Sequence, residues 1–290
     1  MALATLTSVI WGLGFAAGKF GLESFSPAQL TAARFLIACL PVLVVPRPRI
    51  AWSSIVLIGA TLFTGQFLFM FFAFEHGLPP GLASVTQQMQ AFFTVLLAAA
   101  FLRDVPTRRQ AAGMTLAFAG LALIASSAGG DLKLIGLGLG LIAAFSWAIG
   151  NVLVKRAAGT PMFPLVVWCS LVPPLPAWLI SAALDTNAGF ARAVLDASWR
   201  SLGAVVYLGV FATIAAYAAW GYLLQRYSTG AVAPFALVSP CVGVASAALI
   251  FGEIPGPLRY AGMALILAGL AVAVVPMGDI LPASTRRNAP

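Results

Sequence analysis

One stretch near the N-terminus combines glycines with a lysine, as phosphate-binding loops do. It reads WGLGFAAGKFG, over residues 11–21. A phosphate-binding loop needs a glycine, four residues, then Gly-Lys and a Ser or Thr, because backbone N–H groups hold the phosphates and the hydroxyl binds magnesium. Here Leu13 stands five residues before Gly18, and Phe20 follows Lys19. The spacing therefore excludes this nucleotide chemistry.

Residues that could form a metal centre or a catalytic constellation are sparse. The chain has three cysteines, Cys39, Cys169 and Cys241, which lie in apolar runs without CxxC spacing, and one histidine, His76. Metal sites and acid–base sites need several such groups to converge. We therefore predict no catalytic residues, no metal and no cofactor. An intramembrane enzyme is the weakest of the alternatives.

The composition is that of an integral membrane protein. The chain has 290 residues, of which 61% are hydrophobic and 8% are charged, against roughly 25% charged in a soluble domain. The net charge of +8 comes from Lys and Arg that sit singly or in pairs between apolar runs, as loop charges do. The expected partners are the lipid bilayer and a small-molecule substrate, and nucleic acid is not expected.

The apolar runs are long enough to cross a bilayer, since a helix needs about 20 residues to do so. Turn and charge signals such as HGLPPG and RDVPTRR separate them. We predict an all-α integral membrane protein with ten transmembrane helices. The predicted spans are 3–20, 28–45, 52–74, 80–101, 109–127, 134–154, 162–184, 201–224, 230–251 and 257–276.

The distribution of Lys and Arg predicts the orientation, because basic residues collect on the cytoplasmic side. One side, with both termini, holds Arg47, Arg49, Arg103, Arg108, Arg109, Lys155, Arg156, Arg226, Arg286 and Arg287. The other side holds Lys19, Lys133, Arg192, Arg200 and Arg259. We therefore expect a multi-pass protein of the cell's inner membrane with both termini in the cytoplasm.

The two parts of the chain repeat one another. Trp11, Gly14 and Lys19 recur 136 positions later, and AGMTLAFAGLA at 112–122 recurs as AGMALILAGLA at 261–271. We predict two five-helix repeats, 1–130 and 131–290, with the extra residues of the second repeat in the loop at 184–200. Because five is odd, the second repeat is inverted, which is typical of secondary transporters. Gly14 and Gly18 form a GxxxG pair, which favours close helix approach.

The motifs resemble those of the EamA-type members of the drug/metabolite transporter superfamily. The resemblance rests on WGxxFxxxK in the first span, Arg34-Phe35 in the second, [DE]-[VI]-P after the fourth and AGxxLxxAGL in the fifth. It covers nearly the whole chain and implies ten spans in two inverted repeats. It also implies export of amino acids, including aromatic ones, or of drug-like cations. Pro240 stands where the first repeat has Ala91, so kinking is expected to differ between the repeats.

Asp104 and Glu253 occupy matching places in the two repeats. Each precedes a Val-Pro or Ile-Pro step that leads into the next helix. A carboxylate there can cap the positive end of a helix dipole. We expect each of them to cap the helix that follows it.

Polar and aromatic residues inside the spans predict a central substrate site. In the fourth span Ser84, Gln87, Gln88 and Gln90 fall on one arc at 100° per residue, which fits a cavity lining or hydrogen bonds between helices equally well. Aromatic rings beside amides suit a zwitterion with a flat side chain, or an organic cation. The candidate substrate-binding residues are Trp11, Gln66, Ser84, Gln88, Trp147, Asn151, Tyr217 and Trp220.

Three charged or titratable residues are candidates for coupling or gating. Glu75 and His76 end the third span and are the candidates by elimination if transport is coupled to protons. A solvated turn is their alternative role, and facilitated diffusion stays open. Arg34 lies inside the second span, where it can pair with helix-end carbonyls or hold a substrate carboxylate.

These observations favour an exporter of small metabolites, amino acids above all and aromatic ones among them. It would work by alternating access around the central cavity, as a monomer. An organic-cation or multidrug efflux transporter is the alternative within transport, although a cavity carboxylate is missing. A non-transporting scaffold or receptor is the alternative from another class.

Overall fold

The structure is a computed structural model that describes residues 1–185, 189–227 and 232–275. Within these ranges the chain is helical, and its one β-bridge joins Gly129 to Leu132. An all-α membrane fold is thus confirmed. Part of the predicted inserted loop, the start of the ninth span and the C-terminal tail with Arg286 and Arg287 lie outside the described residues.

Ten long helical segments follow one another in the described chain. They are α1 (Ala2–Gly21), α2 (Pro27–Leu43), α3 (Trp52–Glu75), α4 (Pro80–Phe101), α5 (Arg108–Ser126), α6 (Leu134–Arg156), α7 (Met162–Leu184), α8 (Trp199–Leu223), α9 (Pro234–Phe251) and α10 (Pro257–Val274). A short helix, Phe190–Leu195, precedes α8.

Eight of these ten segments are long and apolar enough to cross a membrane. The other two are α2, which is shorter and ends in a 3₁₀ turn at Leu40–Leu43, and α5, which begins with Arg108 and Arg109. Both pack as full members of the bundle, α2 against α7 and α5 against α10. The positions of all ten predicted spans therefore correspond to helices of the described chain.

The repeated glycine motif of α5 meets its own copy in α10. A Cβ added at Gly113 would stand 2.5 Å from the carbonyl oxygen of Gly269, and one added at Gly120 would stand 2.5 Å from that of Gly262. The two helices therefore run antiparallel at this contact. This reciprocal, antiparallel contact is what two inverted repeats produce about a pseudo-two-fold axis.

The two repeats interlock through their first helices. Helix α1 packs on α8 and α9 of the second repeat, and α6 packs in the same way on α3 and α4 of the first. The closest approach of α1 to α9 is at Gly12, where a Cβ would stand 2.6 Å from the Ser239 carbonyl oxygen. At Gly14 an added Cβ would meet nothing nearer than 3.9 Å. Of the predicted pair, Gly18 lies close to another helix, since a Cβ added there would stand 3.0 Å from the Phe71 ring of α3. Gly14 does not, and the close contact with α9 is made at Gly12.

The third helix of each repeat contains a π-helical segment, Gly59–Gly65 in α3 and Tyr207–Ala215 in α8. In both, a threonine hydroxyl donates to the carbonyl five residues earlier, from Thr64 to Gly59 and from Thr213 to Leu208. π-Helical turns are uncommon and concentrate at functional sites. Their recurrence 149 positions apart shows that both repeats keep the irregularity.

The fourth helix of each repeat is interrupted at matching positions. In α4 the α-helix breaks at Gln87–Gln88, and in α9 a 3₁₀ turn at Ala233–Leu237 precedes the α-helix from Val238. The interruption thus occurs in both repeats, with and without a proline, and a difference in kink angle between them stays a prediction. Pro240 lies in the first turn of the α-helical part of α9, where a proline removes no helical hydrogen bond.

The two acidic residues beside the proline steps do not cap the helices that follow them. Thr107 caps α5 in a capping box with Gln110, and Gly256 precedes α10. The Glu253 carboxylate instead accepts from the Gly81 backbone N–H, at 3.0 Å, at the start of α4. The prediction was wrong because it considered only neighbours in sequence, whereas these loops lie against the other repeat.

Candidate functional site

A cavity of about 380 Å³ lies between the two repeats. Residues of α1–α4 and of α6–α9 line it, whereas α5 and α10 contribute none. The volume falls within the range of roughly 300–1,000 Å³ of small-molecule sites. Seven of the predicted substrate-binding residues line it together: Trp11, Gln66, Gln88, Trp147, Asn151, Tyr217 and Trp220.

An aromatic cluster forms the wall between α1 and α8. The Trp11 ring centroid lies 5.3 Å from that of Tyr217 and 5.2 Å from that of Trp220, and neither pair is stacked face to face. The Trp11 indole N–H donates to the Ala212 carbonyl, 3.1 Å away, inside the π segment of α8. This hydrogen bond fixes the ring that the other two contact.

Amide side chains form a second part of the cavity wall. Gln66 from α3 and Gln87 and Gln88 from the break in α4 all line the cavity. The Gln88 amide donates weakly to the Ser84 carbonyl, at 3.4 Å. The Gln66 Oε1 and both amide atoms of Gln87 are buried without a hydrogen-bond partner in the described part of the chain.

Asn151 joins the two repeats at the edge of the cavity. Its amide nitrogen donates to Gln90 Oε1 at 2.7 Å and lies 3.2 Å from Thr94 Oγ1. Trp147, one turn earlier on α6, also faces the cavity. α6 thus presents an aromatic ring and an amide where α1, at the matching positions, presents Trp11 and Phe15.

The structure does not bring Ser84 into the cavity lining. The Ser84 side chain is buried between α4 and α9, with Oγ 2.7 Å from the Gly81 carbonyl oxygen and 3.2 Å from that of Pro240. The break at Gln87–Gln88 separates Ser84 from the glutamines that follow. A continuous helix of 100° per residue, which placed them on one arc, does not describe this segment.

The three candidates for coupling or gating lie in different places. Arg34 is buried in the cavity wall. Glu75 and His76 lie outside the cavity, at the end of α3, where their side chains are 52% and 41% exposed. The His76 Nδ1 lies 2.9 Å from the Phe72 carbonyl oxygen. The geometry of these two is that of a partly solvated helix end.

Several lining residues were not among the predicted site residues. They include Phe67, Phe71, Gln87, Gln90 and Ser239. Gln87 and Gln90 belonged to the polar arc of the fourth span, so a signal for them existed. Phe67 and Phe71 follow Gln66 on a helix that is aromatic on several faces, and periodicity could not distinguish the cavity side.

The cavity offers a defined chemical environment. Aromatic rings supply apolar contact area, and the glutamine amides without partners supply hydrogen-bond donors and acceptors. Arg34 supplies a positive charge. No Asp or Glu lines it in the described chain, and no metal-ligand cluster is present in that part either. Such a wall suits a small solute with a flat apolar group and a polar, negatively charged end.

Comparison with known proteins identifies the sequence family that this chain matches. The model of the EamA-like transporter family matches residues 1–126 and again residues 134–275. The chain is 40% identical to a "Probable amino-acid metabolite efflux pump" of Salmonella typhimurium strain LT2, over 94% of this chain and 93% of that protein. It is 38% identical to a protein of the same description in Escherichia coli strain K12, with the same coverage.

A solved structure shares the fold. A crystal structure that is 19% identical in sequence superposes with a TM-score of 0.66, over 94% of this chain and 95% of the other. At this identity the likeness concerns the fold alone. Another protein therefore adopts this helical fold with a largely different sequence.

Proposed function

The chain belongs to the EamA-like transporter family, and we propose that it exports small amino-acid metabolites, aromatic amino acids among them, through the central cavity. It works in the inner membrane with both termini in the cytoplasm, as a monomer. Relatives that are 40% and 38% identical carry the description "Probable amino-acid metabolite efflux pump". That description supports the substrate class proposed here.

The composition of the cavity wall is the observation that carries this proposal. The rings of Trp11, Tyr217 and Trp220 adjoin amides and one guanidinium. An aromatic amino acid has an apolar ring and a polar end, and each finds a matching part of the wall. An organic cation would meet Arg34 without a compensating carboxylate in the described lining, which disfavours the multidrug alternative.

The architecture supports alternating access as the mechanism. The cavity lies between two inverted repeats whose matching helices carry matching π segments and breaks. Each repeat can take the conformation of the other, so that the cavity faces one side and then the other. A non-transporting scaffold would not need a polar cavity of this size at the centre of the bundle.

Transport by the purified protein tests the proposal. Counterflow of labelled phenylalanine, tryptophan and alanine is measured in proteoliposomes, with Gln88→Ala and Trp220→Ala as cavity variants. We expect saturable transport that favours the aromatic substrates and falls at least about tenfold in Trp220→Ala, because a ring contact of 0.5–1.5 kcal/mol and its buried area are lost. Trp178→Ala is the matched control, since Trp178 is 52% exposed on the outside of α7.

The result also separates the alternatives. Transport of organic cations without transport of amino acids would replace the substrate class. Absence of any transport by a correctly folded and inserted protein would favour a scaffold. Repeating the counterflow with and without a pH gradient distinguishes proton coupling from facilitated diffusion.

A further inference from the structure

The cavity wall contains a buried guanidinium without a counter-charge. Arg34 is 3% exposed, lies within α2 and lines the cavity. Among the described residues it forms no ion pair, and its one hydrogen bond runs from Nε to Thr213 Oγ1, at 3.0 Å. An arginine at the centre of a membrane helix costs about 2.5–3.5 kcal/mol. A charge kept at this cost needs an explanation.

The protein holds the guanidinium in place without neutralising it. Thr213 donates its own proton to the Leu208 carbonyl inside the π segment, so its oxygen is free to accept from Arg34 Nε. The Phe67 ring lies beneath the guanidinium, with its centroid 3.6 Å from Cζ. These contacts fix the plane of the guanidinium, and both of its Nη groups remain without an acceptor in the described protein.

The fold itself does not require a charge at this position. Helix α2 packs closely on α8 at this position, where a Cβ added at Gly209 would stand 2.9 Å from the Arg34 carbonyl oxygen. In a similar contact between α7 and α3, a Cβ added at Gly59 would stand 2.7 Å from the carbonyl oxygen of Cys169. The position of the second repeat that corresponds to Arg34 by the 136-residue displacement is the uncharged Ser170.

The glutamines supply a second and independent observation. Gln87 is 2% exposed and Gln66 is 5% exposed, both line the cavity, and three of their amide atoms have no partner in the described chain. A buried polar atom left without a hydrogen bond costs about 1–3 kcal/mol. Polar atoms in this state around a cavity point to a ligand that supplies their partners.

We propose that Arg34 binds the carboxylate of the transported substrate, with the free amides of Gln66 and Gln87 completing the polar contacts. The proposal rests on the transport function proposed above. It makes the transporter selective for metabolites that carry a carboxylate, whether zwitterionic or anionic. Amines and amides with the same side chain but no carboxylate are rejected, because they leave the guanidinium unpaired.

A series of ligands with one ring and different polar ends tests the selectivity in the wild-type protein. Competition against labelled phenylalanine counterflow is measured for 3-phenylpropionate, phenylalaninamide and phenethylamine. We expect 3-phenylpropionate to compete, and the other two to compete about 10- to 100-fold more weakly, as the loss of a charge-assisted hydrogen bond implies. This arm needs no mutation, so it tests the proposal even if a variant does not fold.

Substitution of Arg34 assigns the selectivity to this residue. Arg34→Gln should raise the KM for phenylalanine at least about tenfold and remove the discrimination between phenylalanine and phenylalaninamide. Arg34→Lys keeps the charge but loses the planar fork, so it should retain part of the discrimination. The matched control is Arg47→Gln, because Arg47 lies outside the cavity, over the Trp52 ring. Size exclusion and thermal unfolding in detergent establish that each variant is folded.

The outcomes distinguish this inference from the function on which it rests. Equal competition by phenylalaninamide and phenylalanine, or unchanged discrimination in a folded Arg34→Gln variant, would overturn the carboxylate site while amino-acid transport stands. Failure of the wild-type protein to transport any amino acid would overturn both. A folded Arg34→Gln variant with a raised KM for phenylalanine, in which phenylalaninamide competes as well as phenylalanine, would support the site directly.

Discussion

At the residue scale, Trp11 shows how one side chain serves both the packing and the cavity. Its ring contacts Tyr217 and Trp220, while its indole N–H donates to the Ala212 carbonyl and so links α1 to α8. Trp147 occupies the matching place on α6 and makes no such hydrogen bond in the described chain. The pseudo-symmetry of the repeats therefore provides a control inside the same molecule.

The hydrogen bond of Trp11 leads to a prediction on stability. Trp11→Phe keeps an aromatic ring but leaves the Ala212 carbonyl without its donor, so we expect a loss of about 0.5–1.5 kcal/mol in the free energy of unfolding. Trp147→Phe makes the same change of ring without the loss of a hydrogen bond. Thermal unfolding in detergent should show a lower Tm for the first variant only, and equal Tm values would contradict the prediction.

The residue scale also shows what the sequence could predict about the site. The matching positions of Trp11 and Trp147 predicted that both rings line the cavity, because inverted repeats bring matching residues to one centre. The role of Gln87 and the location of Ser84 could not be obtained in this way. Both depend on the break at Gln87–Gln88, and neither a proline nor a glycine in the sequence indicates it.

At the element scale, α5 and α10 hold the repeats together away from the cavity. Their glycines allow backbone contact, in which a carbonyl oxygen of each helix lies close to where a Cβ on the other helix would be. In a bilayer, helix association depends on such close packing, because burial of apolar surface adds little. The repeated motif is thus a packing motif, and its presence in the sequence says little about the substrate.

A glycine substitution tests this contact. Gly269→Ala places a methyl group against the Gly113 carbonyl, which we expect to cost about 1–3 kcal/mol through overpacking. Gly138 in α6 has nothing within 4 Å of an added Cβ, so Gly138→Ala should not lower the Tm. Helix propensity alone would raise the Tm in both variants, because Ala is a better helix former than Gly. A fall in Tm of the same size in both variants would therefore contradict the α5–α10 contact as the specific cause.

The loop between α9 and α10 carries a titratable contact between the repeats. Burial raises the pKa of Glu253, and the Gly81 N–H and the charge of Lys19 oppose the shift. A raised pKa means that the folded protein favours the neutral carboxyl more than the unfolded chain does. The contribution of this carboxyl to stability is therefore fully present below the ordinary pKa and is lost as the pH rises through the raised pKa.

Replacement of Glu253 tests this pH dependence. Glu253→Gln keeps an acceptor for Gly81 and cannot ionise, so its Tm relative to the wild type should rise as the pH increases from the ordinary pKa of a glutamate through the raised one. Glu23→Gln, at an exposed carboxylate on the same side of the membrane, is the matched control. A difference from the wild type that does not change as the pH increases above the ordinary pKa of glutamate would contradict the raised pKa.

At the scale of the whole molecule, charged contacts join the repeats on both sides of the bundle. On the side of the N-terminus, Lys155 Nζ of α6 lies 2.7 Å from the Asp104 carboxylate, in the loop after α4. In the alignment of the two repeats, Lys19 corresponds to Lys155 and Glu253 corresponds to Asp104, and both lie on the opposite side of the bundle. There the Glu253 carboxylate binds the Gly81 N–H, and no ion pair with Lys19 is formed in the described structure.

The difference between the two sides is what alternating access requires. If the repeats exchange conformations, the contact between Lys155 and Asp104 must open when the matching contact on the other side closes. Both side chains are about 60% exposed, so the ion pair adds little to stability and does not prevent the exchange. A covalent link at this place, in contrast, would prevent it.

Cross-linking therefore tests the mechanism. In a background with Cys39, Cys169 and Cys241 replaced by Ala, the pair Lys155→Cys and Asp104→Cys is joined by a short bismaleimide. We expect counterflow to fall to the background rate, because the two repeats can no longer separate on this side, while a monofunctional maleimide leaves it largely intact. The control pair is Arg192→Cys and Asp196→Cys, which replaces an ion pair of 3.5 Å between the short helix before α8 and the residue that follows it. Its cross-link spans no boundary between repeats, so transport should persist, and transport that also persists in the cross-linked 104–155 pair would exclude a cycle in which this contact opens.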